Sequence, residues 1–390
     1  MTLSAQHFAD LVDRDRLTSR LEQLVRIPSE NPPGLEAEAA RVVGGFCAEL
    51  GLTVTEHETE PGRPSVIARA GNGNPVLCYC SHIDVVPAGD PTLWDVDPYG
   101  AVVKDGLMFG RGSSDAKGPI AAALEAVELL KASDVDISGL ELALVADEEA
   151  MGLKGAKPLV DEGIVTAKNV IVGEPTSLRI VRAQRGPCWF RIIVRGVAGH
   201  GSAPERGRNA IRHMAAIILR LEETVPDITH EVLGGPSINV GTITGGEKVN
   251  VIPASCIAEV DRRTIPGETE ADVRAQVERS IELARETFPD IDASIEIPVF
   301  GQPFEAAEGA RVVSTMTQAV TDAQQAEAEV IGFRGSSDAR FFADGGAEVC
   351  VCGPGDITVA HTAREYIDLD ELARGAVAYA CAFDRLLAPG

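Results

Sequence analysis

The apolar positions of this 390-residue chain fall into two kinds of pattern. Near the start, Leu17, Leu21, Leu24 and Val25 recur at helical spacing and predict a helix, which Pro28 and the run Asn31-Pro32-Pro33-Gly34 break. A second helix is predicted over 35–50, stopped by Gly51. Short apolar runs separated by turn residues follow at 65–68, 76–80, 142–145, 170–172 and 348–352. Three of these are continuous rather than alternating, as strands buried on both faces are. Between two of them, residues 117–130 carry Ile120, Leu124, Val127 and Leu130 on one helical stripe. Strands alternating with helices predict an α/β sheet with substantial parallel content.

The middle of the chain reads differently. Strands are predicted at 188–194, 238–243, 256–261 and 293–297, with helices at 209–221 and 270–287. A helix at 311–323 and the apolar run near Val349 then resume the first pattern. The simplest organisation is one α/β domain, residues 1–181 and 299–390, with a smaller α+β domain, 182–298, inserted into it.

Composition agrees with two or three domains at ~150 residues each. Hydrophobic residues at 45% and charged residues at 24% exclude a disordered chain or a fibre. The formal charge of −24 makes nucleic acid and anionic membrane poor partners. No run approaches ~18 apolar residues, so no membrane span is expected, and the acid-bearing first residues are not those of a secretory signal. The C-x-C pairs Cys78/Cys80 and Cys350/Cys352 lack the C-x-x-C spacing of a metal site and fit small buried thiols. A cytoplasmic protein with reduced cysteines is the expectation.

Four of the buried-type strands run directly into acids or histidine. His82 and Asp84 follow the first, Asp147, Glu148 and Glu149 the second, Glu174 the third, and a Gly353-Pro354-Gly355 loop and then His361 the fourth. Ligands of open α/β sheets lie beyond the carboxyl ends of the strands, so these side chains are expected to converge. Asp115, after Gly110-Arg111-Gly112 and before the 117–130 helix, is a fifth acid. It reads either as a helix N-cap or as part of the same set. A dinucleotide loop is excluded there, since a carboxylate stands where the third glycine should be.

Two histidines with several carboxylates suggest a divalent metal site, and the mix of nitrogen and oxygen suits zinc, cobalt or manganese. A carboxylate shared between two ions would hold them ~3.5–4 Å apart and lower the pKa of a bridging water. The adjacent pair Glu148-Glu149 could then divide the work, one as ligand and one as proton acceptor. Neither a Gly-x-Ser-x-Gly elbow nor a His-Glu-x-x-His helix motif occurs.

These residues sit in stretches that resemble a known family, the co-catalytic zinc amidohydrolases and metallopeptidases that include acetylornithine deacetylase, succinyl-diaminopimelate desuccinylase, aminoacylase and carboxypeptidase G. The stretches are SHIDVVPAGD, FGRGSSDAKG, ADEEAMGLKGA, GEPT, GVAGHGSAPERGRNA, KVNVIPASCIAEVDRRTIPGE and GPGDITVAHTAREY, in family order over nearly the whole chain. The resemblance implies two divalent ions, zinc first, with cobalt or manganese also fitting. His82 and Glu174 would hold one, Glu149 and His361 the other, and Asp115 would bridge. It implies that Asp84 orients the His82 ring and that Glu148 is the general base.

It further implies that the inserted domain is a ferredoxin-like lid and dimerisation domain, that the protein is a homodimer, and that His200 stabilises an oxyanion, coming from the partner subunit in dimeric members. On its own, His200 reads as an ordinary loop histidine. Asn250 and Arg263 match substrate-contacting positions, although Arg263 reads equally well as a salt bridge to Asp261. Arg340 and Arg185 are further candidates for a substrate carboxylate. Ser81 departs from the family's usual glycine before the first histidine. The Gly-Pro-Gly-Asp-Ile stretch resembles the deacetylases, whereas Ser-Asp-Ala-Arg resembles the desuccinylases. The expected activity is hydrolysis of a linear amide bond in an N-acyl amino acid. The alternatives are a dipeptidase or carboxypeptidase of the same family and, more distantly, a non-catalytic binding protein on the same fold.

Overall fold

The computed structural model describes residues 2–307 and 309–388, which divide into two compact units. The first comprises the described residues within 1–182, 306–331 and 337–390, and the second 183–305 and 332–336.

The first unit is built on a mixed sheet whose centre is parallel. Thr53–Glu58 and Pro64–Arg69 pair antiparallel at one edge, and the order continues through Leu140–Val145, Leu77–His82, Asn169–Val172 and Glu348–Val351. Leu77–His82 lies parallel to both of its neighbours, and Glu348–Val351 lies parallel to Asn169–Val172. Leu77–His82 and Leu140–Val145 are buried at every position, which is why they read as unbroken apolar runs. The helices Arg14–Val25, Ala37–Glu49, Lys117–Ala132, Arg311–Gln324 and Leu369–Leu387 complete the core.

The last of these, nineteen residues long, has no counterpart among the sequence expectations. Its alanine-rich face packs on Lys117–Ala132, and Asp368 caps it by accepting from the N–H groups of Asp370 and Glu371. Tyr379 and Phe383 on this helix meet Tyr79 of the central strand edge-on, at centroid distances of 5.1 and 6.0 Å. The Tyr379 hydroxyl donates to the Cys352 carbonyl at 2.7 Å, so the helix also fixes the end of the strand that leads towards His361.

The second unit is an antiparallel sheet covered on one face. Its strands are Gly186–Arg195, Ser237–Gly245, Ser255–Thr264 and Asp292–Phe300, with helices Ala210–Leu221 and Glu270–Arg285. The chain order is βαββαβ and the sheet order is fourth, first, third, second, which is the ferredoxin-like arrangement. Burial alternates along Ser255–Thr264, which places Cys256, Ala258 and Val260 against the helices. Thr269 and Asp272 close a capping box on the second helix.

All eight cysteines are free thiols and buried. Among the described residues no helix is long and apolar enough to cross a membrane.

Because Phe383 is fully buried against two tyrosines, Phe383→Ala should cost roughly 3–5 kcal/mol of unfolding free energy, read from urea titration of the two proteins side by side. A cost of about 1 kcal/mol or less would mean that this helix is not part of the cooperative core.

Candidate active site

The strand ends of the first unit bring five side chains into two overlapping groups. His82, Asp115 and Glu174 form one and Asp115, Glu149 and His361 the other, with the potential ligand atoms of each group all within 4.8 Å of one another. His82 Nε2 lies 3.1 Å from Asp115 Oδ1 and 3.7 Å from Glu174 Oε2. His361 Nε2 lies 3.2 Å from Asp115 Oδ2 and 3.1 Å from Glu149 Oε2. Asp115 thus turns one oxygen to each histidine. It is not a helix cap, because Ala116 occupies the cap of Lys117–Ala132 and no side chain serves there.

Each of these side chains has a local reason for its place. His82 is the last residue of the central strand, and its Nδ1 faces the Asp84 carbonyl at 3.0 Å and the Asp84 carboxylate at 3.4 Å. A hydrogen bond at Nδ1 directs Nε2 to the acids. The buried Asp84 carboxylate also accepts from the backbone N–H groups of Glu148 and Glu149, at 3.3 and 3.1 Å, and from Asn31 Nδ2 at 2.8 Å. One aspartate therefore ties the first histidine to the loop bearing Glu148.

Glu174 follows Gly173, where a Cβ would come within 2.0 Å of the Tyr79 hydroxyl, so only glycine lets the Glu174 loop approach. Ser81, which stands where glycine is usual, donates its hydroxyl to the Gly173 carbonyl at 2.8 Å and joins the His82 strand to that loop.

Asp147 does not join the cluster. It sits in the left-handed region with φ +69°, and its carboxylate pairs with the buried Arg63 at 2.8 Å. That turn leaves Glu148 and Glu149 facing the crevice.

The electrostatics follow from packing acids below the surface. Burial opposes a charge on His82, yet Asp115, Asp84 and Glu174 outweigh it and raise the imidazole well above its ordinary value. Asp115 and Glu149 raise His361 to about 10. Burial, followed by the charge of Glu174, lifts the Glu148 carboxyl well above the usual glutamate range, and burial raises Glu149 and Glu174 as well. Against its own burial, the two histidines hold Asp115 below the usual carboxylate range.

The donor set fits divalent cations. It offers two imidazole nitrogens and three carboxylates, one of them shared, and the buried Glu174 Oε1 has no hydrogen-bond partner in the chain.

The remaining sequence candidates are not among the residues of these two groups. Arg340 is buried in the first unit, where its Nη2 donates to the Met151 carbonyl at 2.6 Å, just beyond Glu148. In the second unit, the exposed His200 and Asn250 are neighbours, since Gly201 N–H donates to the Asn250 carbonyl at 2.9 Å. His200 Nδ1 meets Ser202 Oγ at 2.7 Å. Arg263 pairs with Asp261 at 3.0 Å, the alternative its sequence context allowed.

Arg185 is different. It is 8% exposed, its Nη2 donates to the Leu233 carbonyl at 2.7 Å, and its Nε has no partner. Burial, and then the neighbouring charges of Arg334, Arg262 and Arg263, pull its pKa down, as expected of a guanidinium without a carboxylate.

Sequence reasoning passed over Asn31, Arg63, Lys117 and Asp338. Asn31 read only as a helix breaker. Lys117, buried and lowered to about 7 by that burial, donates to the Ile27 carbonyl at 2.7 Å. Both carboxylate oxygens of the buried Asp338 lack partners, and burial raises it to about 7. Asp338 stands in the quoted Ser-Asp-Ala-Arg stretch, the one available signal.

Fold and site together define a hydrolytic enzyme of the mixed α/β class with an antiparallel second unit. The chain matches Peptidase family M20/M25/M40 over residues 78–385 and belongs to that family. It is 35% identical over 356 residues to acetylornithine deacetylase of Myxococcus xanthus, covering 88% of this chain and 89% of that protein. It is 30% identical over 379 residues to succinyl-diaminopimelate desuccinylase of Pseudoalteromonas atlantica, covering 94% and 98%. Among solved structures, aminopeptidase PepT of Bacillus cereus superposes with a TM-score of 0.81 at 25% identity, covering 97% of this chain and 100% of that one. An M20 family metallo-carboxypeptidase of Sulfolobus solfataricus shares the fold, with a TM-score of 0.79 at 20% identity over 95% and 99% of the two chains.

Because His82 and His361 hold protons strongly among these acids, an ion must displace those protons to bind. Apparent Co²⁺ or Zn²⁺ affinity should rise from about pH 6 to pH 8, by about tenfold per unit for each proton displaced, in a competition titration against a chelator. A flat profile would contradict metal binding through these histidines.

Proposed function

We propose that this enzyme hydrolyses the amide bond of an N-acyl amino acid, as an acetylornithine deacetylase or succinyl-diaminopimelate desuccinylase does. The observation that carries this reading is the pair of donor groups sharing Asp115, with the raised Glu148 carboxyl beside them. His82 and Glu174 would hold one divalent ion, Glu149 and His361 the other, and Asp115 both. Bound there, the ions supply Lewis-acid polarisation of the acyl carbonyl and acidify a water.

The chain's own residues do the rest. Glu148 takes the proton of the attacking water on a carboxylate oxygen and later delivers it to the leaving amine nitrogen. A raised carboxyl is the better acceptor for the water's proton, and the proton can still pass to the leaving nitrogen because an amine is the stronger base. Asp84 keeps Glu148 in register through the two backbone N–H groups it accepts. Ser202 engages Nδ1 of His200, which leaves Nε2 as the ring nitrogen that would donate to an oxyanion.

Arg185 is the cation we assign to a substrate carboxylate. A buried guanidinium with an unpartnered Nε and three arginines around it is poised for an anion, whereas Arg263 is already matched by Asp261. Both named relatives point to substrates of this anionic kind. The exposed His200 loop is compatible with the homodimer implied by the family resemblance, in which that histidine serves the partner subunit.

A peptidase reading is favoured by the solved structures of the same fold, an aminopeptidase and a metallo-carboxypeptidase. A panel of N-acetyl amino acids, N-succinyl amino acids and dipeptides separates the two, and preferential turnover of dipeptides would overturn the deacylase assignment. On the preferred substrate, Glu148→Gln should retain its metal and lose roughly 100- to 10,000-fold in kcat. Wild-type turnover in that variant would remove Glu148 as the base. Arg185→Met should raise KM by roughly 10- to 100-fold, as loss of a charged hydrogen-bond partner does. An unchanged KM would remove the carboxylate assignment.

A further inference from the structure

We propose that Glu365 is a positioning residue for the bridging aspartate, a role that rests on the two-ion reading above. Glu365 lies four residues after His361 and is fully buried. Its Oε1 accepts from three backbone N–H groups of one turn, those of Gly112, Ser114 and Asp115, at 3.0, 3.1 and 3.1 Å. The last of these is the N–H of the shared ligand itself. Oε2 receives Arg111 Nη1 at 2.5 Å, and the Arg111 guanidinium is buried beneath Trp94, 5.3 Å from the ring centroid. The Glu365 carbonyl accepts from Gly110 N–H at 3.1 Å. The strand Tyr366–Asp368 then pairs with Leu107–Phe109, on the approach to that turn.

Convergent backbone N–H groups make a concavity that binds an anion, and here the anion is a side chain of the same chain. Gly112 makes the turn possible, with φ +83° and only 2.6 Å between a would-be Cβ and Val85 Cγ1. The carboxylate therefore joins the segment carrying His361 to the turn carrying Asp115, and so links two ligands of the second ion. A buried ion pair is a poor source of stability, so apolar residues could hold these strands together as well. What an apolar residue cannot do is accept three N–H groups and fix the direction in which Asp115 leaves its turn.

The test is Co²⁺ titration of metal-free wild type, Glu365→Gln and Glu365→Ala, followed by visible absorption, with kcat and KM measured at saturating Co²⁺. The glutamine keeps one oxygen for the three N–H groups but sets an amide against Arg111. The alanine removes every acceptor. We expect the alanine to weaken Co²⁺ binding about 10- to 100-fold, as loss of a group that supports a ligand does. Its absorption bands should shift and its kcat should fall with little change in KM, while the glutamine lies between the two proteins. If the alanine does not fold, the glutamine decides, and it must show weakened binding and shifted bands.

Wild-type affinity and wild-type bands in every variant that folds, with only the melting temperature lowered, would make Glu365 a structural clamp and overturn the proposal. Cobalt bands absent from wild type would refute the two-ion reading itself, and this proposal with it, a failure distinct from a wild type that binds Co²⁺ and variants that bind it equally well.

Discussion

The structure is organised around a concentration of negative charge that the chain alone does not neutralise. Asp84, Asp115, Glu149 and Glu174 come together at the ends of buried parallel strands around His82 and His361, in a protein already carrying a net charge of −24. Buried like charges either take up protons or gather a cation. The raised carboxyls of Glu148, Glu149 and Glu174, and the raised imidazoles beside them, are the proton-bound side of that choice. A divalent ion on the same side chains would be the other side, and the loop architecture keeps these acids together.

That architecture works through backbone N–H groups. Asp84 holds the N–H groups of Glu148 and Glu149, while Asp147 is turned away to Arg63 and accepts from Lys154 N–H at 2.9 Å. Glycines stand where a side chain would block an approach. At Gly155 a Cβ would fall 1.8 Å from the Ala146 carbonyl, which closes the Glu148 loop on its own strand. The Tyr79–Tyr379–Phe383 cluster supports the strands from below. Stability resides in the apolar layer and chemistry at the strand ends, the usual division in open α/β sheets.

Much of this was legible in the sequence, because burial on both faces leaves unbroken apolar runs and the groups of interest come directly after them. The helix Leu369–Leu387 was passed over although its pattern is amphipathic: Asp370, Glu371, Arg374, Asp384 and Arg385 fall on one face and leave an alanine-rich face for the core. The edge strand Thr53–Glu58 is mostly exposed and polar, and resembles a loop. At the site, the acids that follow strands could be read from the pattern, and the pair Glu148-Glu149 was preferred over Asp147, but the left-handed residue that turns Asp147 aside leaves no mark in the spacing. That Arg185 faces other arginines rather than a carboxylate was invisible for a different reason: it depends on which residues from 233, 237, 262, 263 and 334 surround it, and none of them is near in sequence.

The claim on which the account depends is that Asp115 belongs to two ion sites at once. Metal analysis of wild type and Asp115→Ala after equilibration with Zn²⁺ and gel filtration tests it most directly. The account predicts about two ions per chain in wild type and the loss of both, or nearly so, in the variant, with the fold retained by circular dichroism. A variant that keeps two ions, or loses only one while the other stays at full occupancy, would contradict a shared aspartate.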